Sequence, residues 1–303
     1  MRVEGPQRSR RRSGSERRRP VEVARDQQRA PSAIGGFEGV SDVELHYRRM
    51  CRMRAMSAGE LHRLLAGDAA NAAPWVESAA RYGISEALLR LGQMRLDGLG
   101  VAQDQPAALR CFTRAAKQGL PEAMNMVGRC YENGWGAATD LGLAAQWYRR
   151  AADAGYDWGQ YNYANMLFDG RGAPLDRPEA RVWYRRAAAQ GHGRAMNLLA
   201  RCYEEGWGGT RDRRAAYQWY QRSAETGYFR AQYNFATLLV AQGRLGEALG
   251  WFEKACEAAT PETRRSMVSA LSQQRDARLV ELARRVEGRR PADATPTRAG
   301  MGA

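Results

Sequence analysis

The polar residues with the most suggestive spacing are Asn125, Arg129 and Glu132, at i, i+4 and i+7, which return as Asn197, Arg201 and Glu204. On a helix these offsets share one face. Asn162, Asn165 and Asp169 stand between the two sets, and Asn234 follows them. Asparagine is a poor helix former because its amide competes for backbone hydrogen bonds, so its return in phase asks for a role. A row of amides and guanidinium forks can hold a peptide backbone or a carboxylate. The competing reading is a wet stripe with Arg–Glu pairs at i,i+3 and amides bonded between adjacent helices. Candidate partner-binding residues are Asn125, Arg129, Asn162, Asn165, Asn197, Arg201 and Asn234.

Other chemistry finds little support. The sequence offers no nucleophile motif, phosphate loop, zinc-binding spacing or paired carboxylates, so neither catalytic residues nor cofactor or metal ligands are expected. The five cysteines, Cys51, Cys111, Cys130, Cys202 and Cys256, form no C-x-x-C pair, and an odd number argues against a disulfide framework. They read as reduced, packed thiols of a cytoplasmic protein. His46, His62 and His192 are too scattered to join them in a metal site. Turns of the form Gly-x-Gly follow helices rather than strands, which makes them turn chemistry and not a nucleotide fingerprint.

What must position the polar stripe is a unit the chain copies. Gln146-Trp147-Tyr148-Arg149-Arg150-Ala151-Ala152 is rewritten from Arg181 as R-V-W-Y-R-R-A-A and from Gln218 as Q-W-Y-Q-R-S-A. Gly83, Gly119, Gly155, Gly191 and Gly227 recur every 36 residues, as do Asp68, Asp104, Asp140, Asp176 and Asp212. A third series is Gly98, Gly134, Gly170 and Gly206. Such periodicity marks stacked supersecondary units. Each unit reads as helix A, turn, helix B. Pro121 suits a first helical turn, and Ala123, Val127 and Cys130 form its inward stripe. Asp104, Asp140 and Asp176 are placed to cap helix B, and Gly155 to end it. The small-residue column Gly92, Gly128, Ala164, Ala200 and Ala236 lets helices approach closely, with a helix-B aromatic filling the remaining space. Trp147, Trp183 and Trp219 are expected in the core. Alternate units resemble each other most: residues 123–132 parallel 195–204, which points to duplication of a two-unit block.

A helix with A-x-x-x-L/V-G, a turn D/N-G-x-G, an Asp and then A-x-x-W-Y-x-x-A-A-x-x-G resembles the Sel-one-like repeats of the tetratricopeptide superfamily. The resemblance implies an all-α, right-handed α-solenoid of stacked antiparallel helix pairs whose A helices line the concave face. It also implies a bacterial scaffold or adaptor, in signalling or envelope processes, that binds a protein or peptide partner and is not an enzyme. The last unit departs from the pattern, with the tight turn Ala241–Leu245 in place of Gly-x-Gly. The paired cysteines of secreted family members are absent.

The expected organisation is a disordered Arg-rich tail over 1–40, then N-terminal helices and a degenerate first repeat over 41–83. Five repeats follow at 84–119, 120–155, 156–191, 192–227 and 228–259, then capping helices over 260–287 and a disordered tail over 288–303. A helix from Asp42 to about Arg54 should carry Val43, Tyr47, Met50 and Met53, and Ser57 with Glu60 forms a capping box ahead of Leu61, Leu64 and Leu65. The capping helices should bury Met267, Ala270, Leu271, Leu279, Leu282 and Val286. No apolar run approaches the roughly 18 residues of a membrane span. The net charge of +14 is concentrated at one end: residues 1–32 hold ten Arg against Glu4, Glu16, Glu22 and Asp26. That arm suits weak contact with nucleic acid or an anionic surface, making a nucleic-acid accessory the first alternative. The bland readings are a solvated tail or a start near Met50, Met53 or Met56. A regulatory subunit of a neighbouring enzyme is the second alternative.

Overall fold

A computed structural model describes residues 41–288 other than 58, 61, 62 and 65–67. The chain divides at Ser41, and all that follows concerns the unit beginning at Asp42. The arginine arm, both terminal tails and the residues Leu61 and Leu65 lie outside the described residues. Fourteen helices and no strand occur among the described residues. They are α1 (Asp42–Ala55), α2 (Ala69–Arg81), α3 (Ser85–Asp97), α4 (Gln105–Lys117), α5 (Pro121–Asn133), α6 (Leu141–Asp153) and α7 (Asp157–Asp169). After them come α8 (Arg177–Ala189), α9 (Gly193–Glu205), α10 (Arg213–Glu225), α11 (Phe229–Ala241), α12 (Leu245–Ala258), α13 (Pro261–Ser272) and α14 (Ala277–Gly288). Helices α3, α5, α7, α9 and α11 are the A helices; α4, α6, α8, α10 and α12 are their B partners. Each packs on its neighbours in sequence, and the A helices α5 with α7 and α9 with α11 also touch. This is an all-α repeat solenoid, in which burial is supplied repeat by repeat.

Local chemistry accounts for the hairpins. Asp104, Asp140, Asp176 and Asp212 accept the amides of Ala107, Leu143, Glu179 and Ala215 at 2.8–2.9 Å, quenching orphan donors at the start of each B helix. Pro121 opens α5 where its missing N–H costs nothing. At the A–B turn Gly134 takes φ +75° and closes α5. Gly136, at φ +79°, has a second reason to be glycine, since a Cβ there would land on the Gln105 carbonyl of the preceding repeat. The turn of one repeat is thus seated on the first residues of the previous B helix.

Packing follows the columns. Phe112, Tyr148, Tyr184, Tyr220 and Phe252 are all buried. A Cβ on Gly128 would sit 2.7 Å from the Tyr148 ring, and one on Gly92 inside the Phe112 ring, so the small column exists to admit the large one. This corrects the assignment of the tryptophans. Trp183 is buried, but Trp147 and Trp219 are half-buried, with Arg150 and Arg222 stacked over their indoles at 4.5 and 5.1 Å. The tyrosine, one residue on, fills the core. The core itself is three clusters rather than one: half-buried Tyr131 bridges the first and second, and Tyr203 with Trp219 the second and third.

Two further expectations change at the N-terminal end. Val43 and Tyr47 are exposed, and α1 docks instead through His46, whose Nδ1 lies 2.7 Å from Ser78 Oγ on α2. Cys51 is exposed; the other four thiols are free and buried. The Ser57–Glu60 capping box forms, with Ser57 N donating to Glu60 Oε2 at 2.8 Å. In α13 and α14 Met267, Leu271, Leu279, Leu282 and Val286 are buried, while Ala270 is half-buried.

Candidate partner-binding face

The amide stripe on the A helices is built by pairing across repeats. Asn162 Nδ2 on α7 donates to Asn125 Oδ1 on α5 at 2.9 Å, and Asn234 on α11 repeats the bond to Asn197 on α9 at 2.9 Å. Asn125 and Asn197 are buried, each 5% exposed, while Asn162 and Asn234 are half-buried. An unpaired amide at either buried position would lose its hydration without return, so the partner on the next A helix is what permits it. These bonds realise the inter-helix bonding weighed against partner binding. Each pair still keeps half-buried amide surface beside the next helix.

The carboxylates and Asn165 face the tyrosine column. Tyr148 Oη donates to Glu132 Oε2 at 2.6 Å, Tyr184 to Asn165 Oδ1 at 2.7 Å, and Tyr220 to Glu204 Oε2 at 2.7 Å. Burial first, and then the adjacent carboxylates of Glu132 and Glu204, push the Tyr148 and Tyr220 hydroxyls well above the usual phenol range. They remain donors at any working pH. Glu132 also pairs with Arg171 at 3.5 Å. The arginines stack on the turn that follows their own helix: Arg129 over Trp135 at 5.2 Å and Arg201 over Trp207 at 5.0 Å.

Of the candidate residues, Asn197, Arg201 and Asn234 come together in one groove of about 540 Å³, bounded by α7, α9, α11 and Met267 of α13. That volume falls within the roughly 300–1,000 Å³ of ligand sites. Asn125, Arg129 and Asn162 form the matching stretch one block earlier, and Asn165 is turned to the Tyr184 hydroxyl. The groove also takes in Arg194, Arg230, Tyr161, Tyr228 and Tyr233, which the stripe alone did not indicate. Beneath it His192 caps α9, its Nδ1 accepting Ala195 N at 3.1 Å. Its ring stacks on Tyr161 at 4.8 Å and meets Trp158 edge-on at 4.4 Å. Burial holds its pKa down at about 4, opposed by the Asp157 carboxylate and assisted by Arg194. The imidazole is therefore neutral and packs behind Tyr161, which lines the groove.

The repeat itself is recognised by the Sel1 repeat model, which matches residues 85–120, 121–156, 159–192, 193–228 and 245–259, more than half of the chain. The chain belongs to the Sel1 repeat family. A solved Sel1 repeat protein from Oxalobacter formigenes is 25% identical, covering 70% of this chain and 94% of that one with a TM-score of 0.60. The protective antigen c5321 of uropathogenic Escherichia coli, described as having an SLR fold, is 24% identical over 81% of this chain and 68% of its own, with a TM-score of 0.49. A search of the curated proteins finds no match. The last Sel1 match begins at α12, and α11 before it ends in the tight turn at Gly243 and not in Gly-x-Gly. No helix among the described residues is long and apolar enough to cross a membrane.

Proposed function

We propose that this Sel1 repeat protein is a non-enzymatic scaffold that binds a protein or peptide along its A-helix face. The observation that carries the reading is the groove in which Asn197, Arg201 and Asn234 converge. Its lining is donors and aromatic rings on rigid helices, the composition that takes an extended chain by its backbone and polar side chains. Groups for covalent chemistry are poorly poised: burial pushes the Cys130 and Cys202 thiols up to about 12 and about 11, far from the thiolate a nucleophile needs. Cysteines without disulfide partners suit a reducing compartment, and we place the protein in the cytoplasm.

The test is site-specific photo-crosslinking in the native host. A photoreactive residue replaces exposed Thr237 on the groove rim or exposed Gln218 on the α10 surface. The scaffold reading expects one discrete product from the Thr237 position and none from Gln218. Products of equal yield at both positions, or at Gln218 alone, would remove the A-helix face from the interface.

A further inference from the structure

We infer that the groove between α9 and α11 selects an acidic peptide segment, held by Arg194, Arg201 and Arg230 through Asp and Glu side chains. This deepens the scaffold reading and rests on it. Among the described residues none of the three guanidinium groups lies within ion-pair distance of a carboxylate. Glu204, which lines the groove, accepts the Tyr220 hydroxyl, and Asp157 accepts the Trp158 amide at 2.8 Å. Each arginine is braced against a ring. Arg194 lies over Trp158 at 5.3 Å, Arg201 over Trp207 at 5.0 Å and Arg230 over Phe229 at 5.8 Å. Stacking fixes the plane of a guanidinium while leaving its edge N–H groups to face a carboxylate, so little freedom is lost on binding.

The internal duplication supplies a control within the same molecule. The second residue of the A helices reads Glu86, Glu122, Trp158, Arg194 and Arg230, each 36 residues from the last. In the earlier block Glu122 stands where Arg194 stands in the later one, and Arg171 closes on Glu132 at 3.5 Å. The Asn–Asn bond and the tyrosine-to-glutamate bond are common to both blocks. What distinguishes the later one is arginine at both second positions, Arg194 and Arg230, where the earlier block has Glu122 and Trp158. Three arginines on two helices exceed what one terminal carboxylate can satisfy, which favours several acidic side chains along a segment. Neither tail of the chain suits the groove: residues 1–32 carry ten Arg, and the stretch after 288 holds Arg289, Arg290 and Arg298 against Asp293. The groove calls for an acidic occupant, which neither stretch supplies.

The experiment selects a randomised decapeptide library, amidated at its C-termini, on the full-length protein. A groove variant, Arg194→Gln/Arg201→Gln/Arg230→Gln, and a control, Arg149→Gln/Arg185→Gln/Arg214→Gln on the B helices, lose the same charge. Circular dichroism checks that both remain folded. Wild type and control should enrich peptides with two or more acidic residues. The groove variant should bind the selected peptides roughly tenfold or more weakly, as expected for lost charge-assisted hydrogen bonds. Equal weakening in groove variant and control would assign the effect to general charge, including the arginine arm, and overturn the inference. Enrichment without acidic bias would overturn it while leaving the scaffold reading intact. No enrichment of any peptide would overturn both.

Discussion

Gly136→Ala and Gly155→Ala pose the same backbone problem in different surroundings. The native φ values are +79° and +89°, and an L-residue held there costs about 1–2 kcal/mol. At Gly155 a Cβ meets nothing within 4 Å, so the cost ends with the dihedral. At Gly136 the Cβ falls on the Gln105 carbonyl and Pro106 nitrogen. That backbone is not free to retreat, because Asp104 ties it to Ala107 N at 2.8 Å. The turn must lift away from the preceding B helix, at an overpacking cost on the order of 1–3 kcal/mol. Gly136→Ala should then destabilise by about 2–5 kcal/mol and Gly155→Ala by about 1–2 kcal/mol. Urea unfolding followed by far-UV circular dichroism, fitted at matched slopes, measures both. Equal costs within about 0.5 kcal/mol would refute the claim that the second glycine of each turn is a docking point between repeats.

The histidine under the groove should make stability fall in mild acid. Because burial holds folded His192 at about 4 against an unfolded value of about 6.5, the unfolded chain takes the proton first; stability is whole above 6.5 and drains as pH falls towards 4, with about 2 kcal/mol lost by pH 5. His192→Asn keeps a capping acceptor and should flatten the slope between pH 7 and 5; an unchanged slope would sink the assignment. Trp183→Ala should cost about 3–5 kcal/mol and exceed both Trp147→Ala and Trp219→Ala in the same unfolding assay. A Trp219 variant as damaged as Trp183 would contradict its half-buried position. With a thiol-exchange reagent on native protein, Cys51 should react fast and Cys111, Cys130, Cys202 and Cys256 only on unfolding. A second fast thiol would show that one of the buried four opens locally.

The hairpins were legible because their determinants are local. A capping Asp, a left-handed Gly and a small residue facing an aromatic each need a few neighbours, and each recurs in phase. The choice between adjacent Trp and Tyr was not legible. Neighbouring helical positions differ by about 100° of azimuth, and both faces of a B helix bury something, so the repeat alone does not say which ring enters the core. His46 was missed for a related reason: the apolar period of α1 pointed to Val43 and Tyr47, but its anchor is a polar contact to Ser78. At the groove, the amides and Arg201 stood out by type, whereas Arg194 and Arg230 did not. Their signal was present as a column, Glu86 to Arg230, whose charge changes sign along the chain. Finding it required reading the same position down the repeats instead of reading one helix along its length.

That column shows how a duplicated fold can acquire a partner without disturbing its core. Arg194 and Arg230 at position two of α9 and α11 line the groove, while the residue after position two is a small one, Ala87, Gly159 and the fully buried Ala123, Ala195 and Ala231. At that glycine a Cβ would overlap Ala151, so this position admits nothing larger. Its neighbour passes from Glu to Trp to Arg with the helix length unchanged at 13 residues. Packing therefore constrains one position of each adjacent pair and leaves the other to the ligand. Between α9 and α11 those second positions carry arginine that pairs with no carboxylate among the described residues. A charge the fold does not require, held in place by rings the fold does supply, is the physical ground for assigning the groove to an acidic segment.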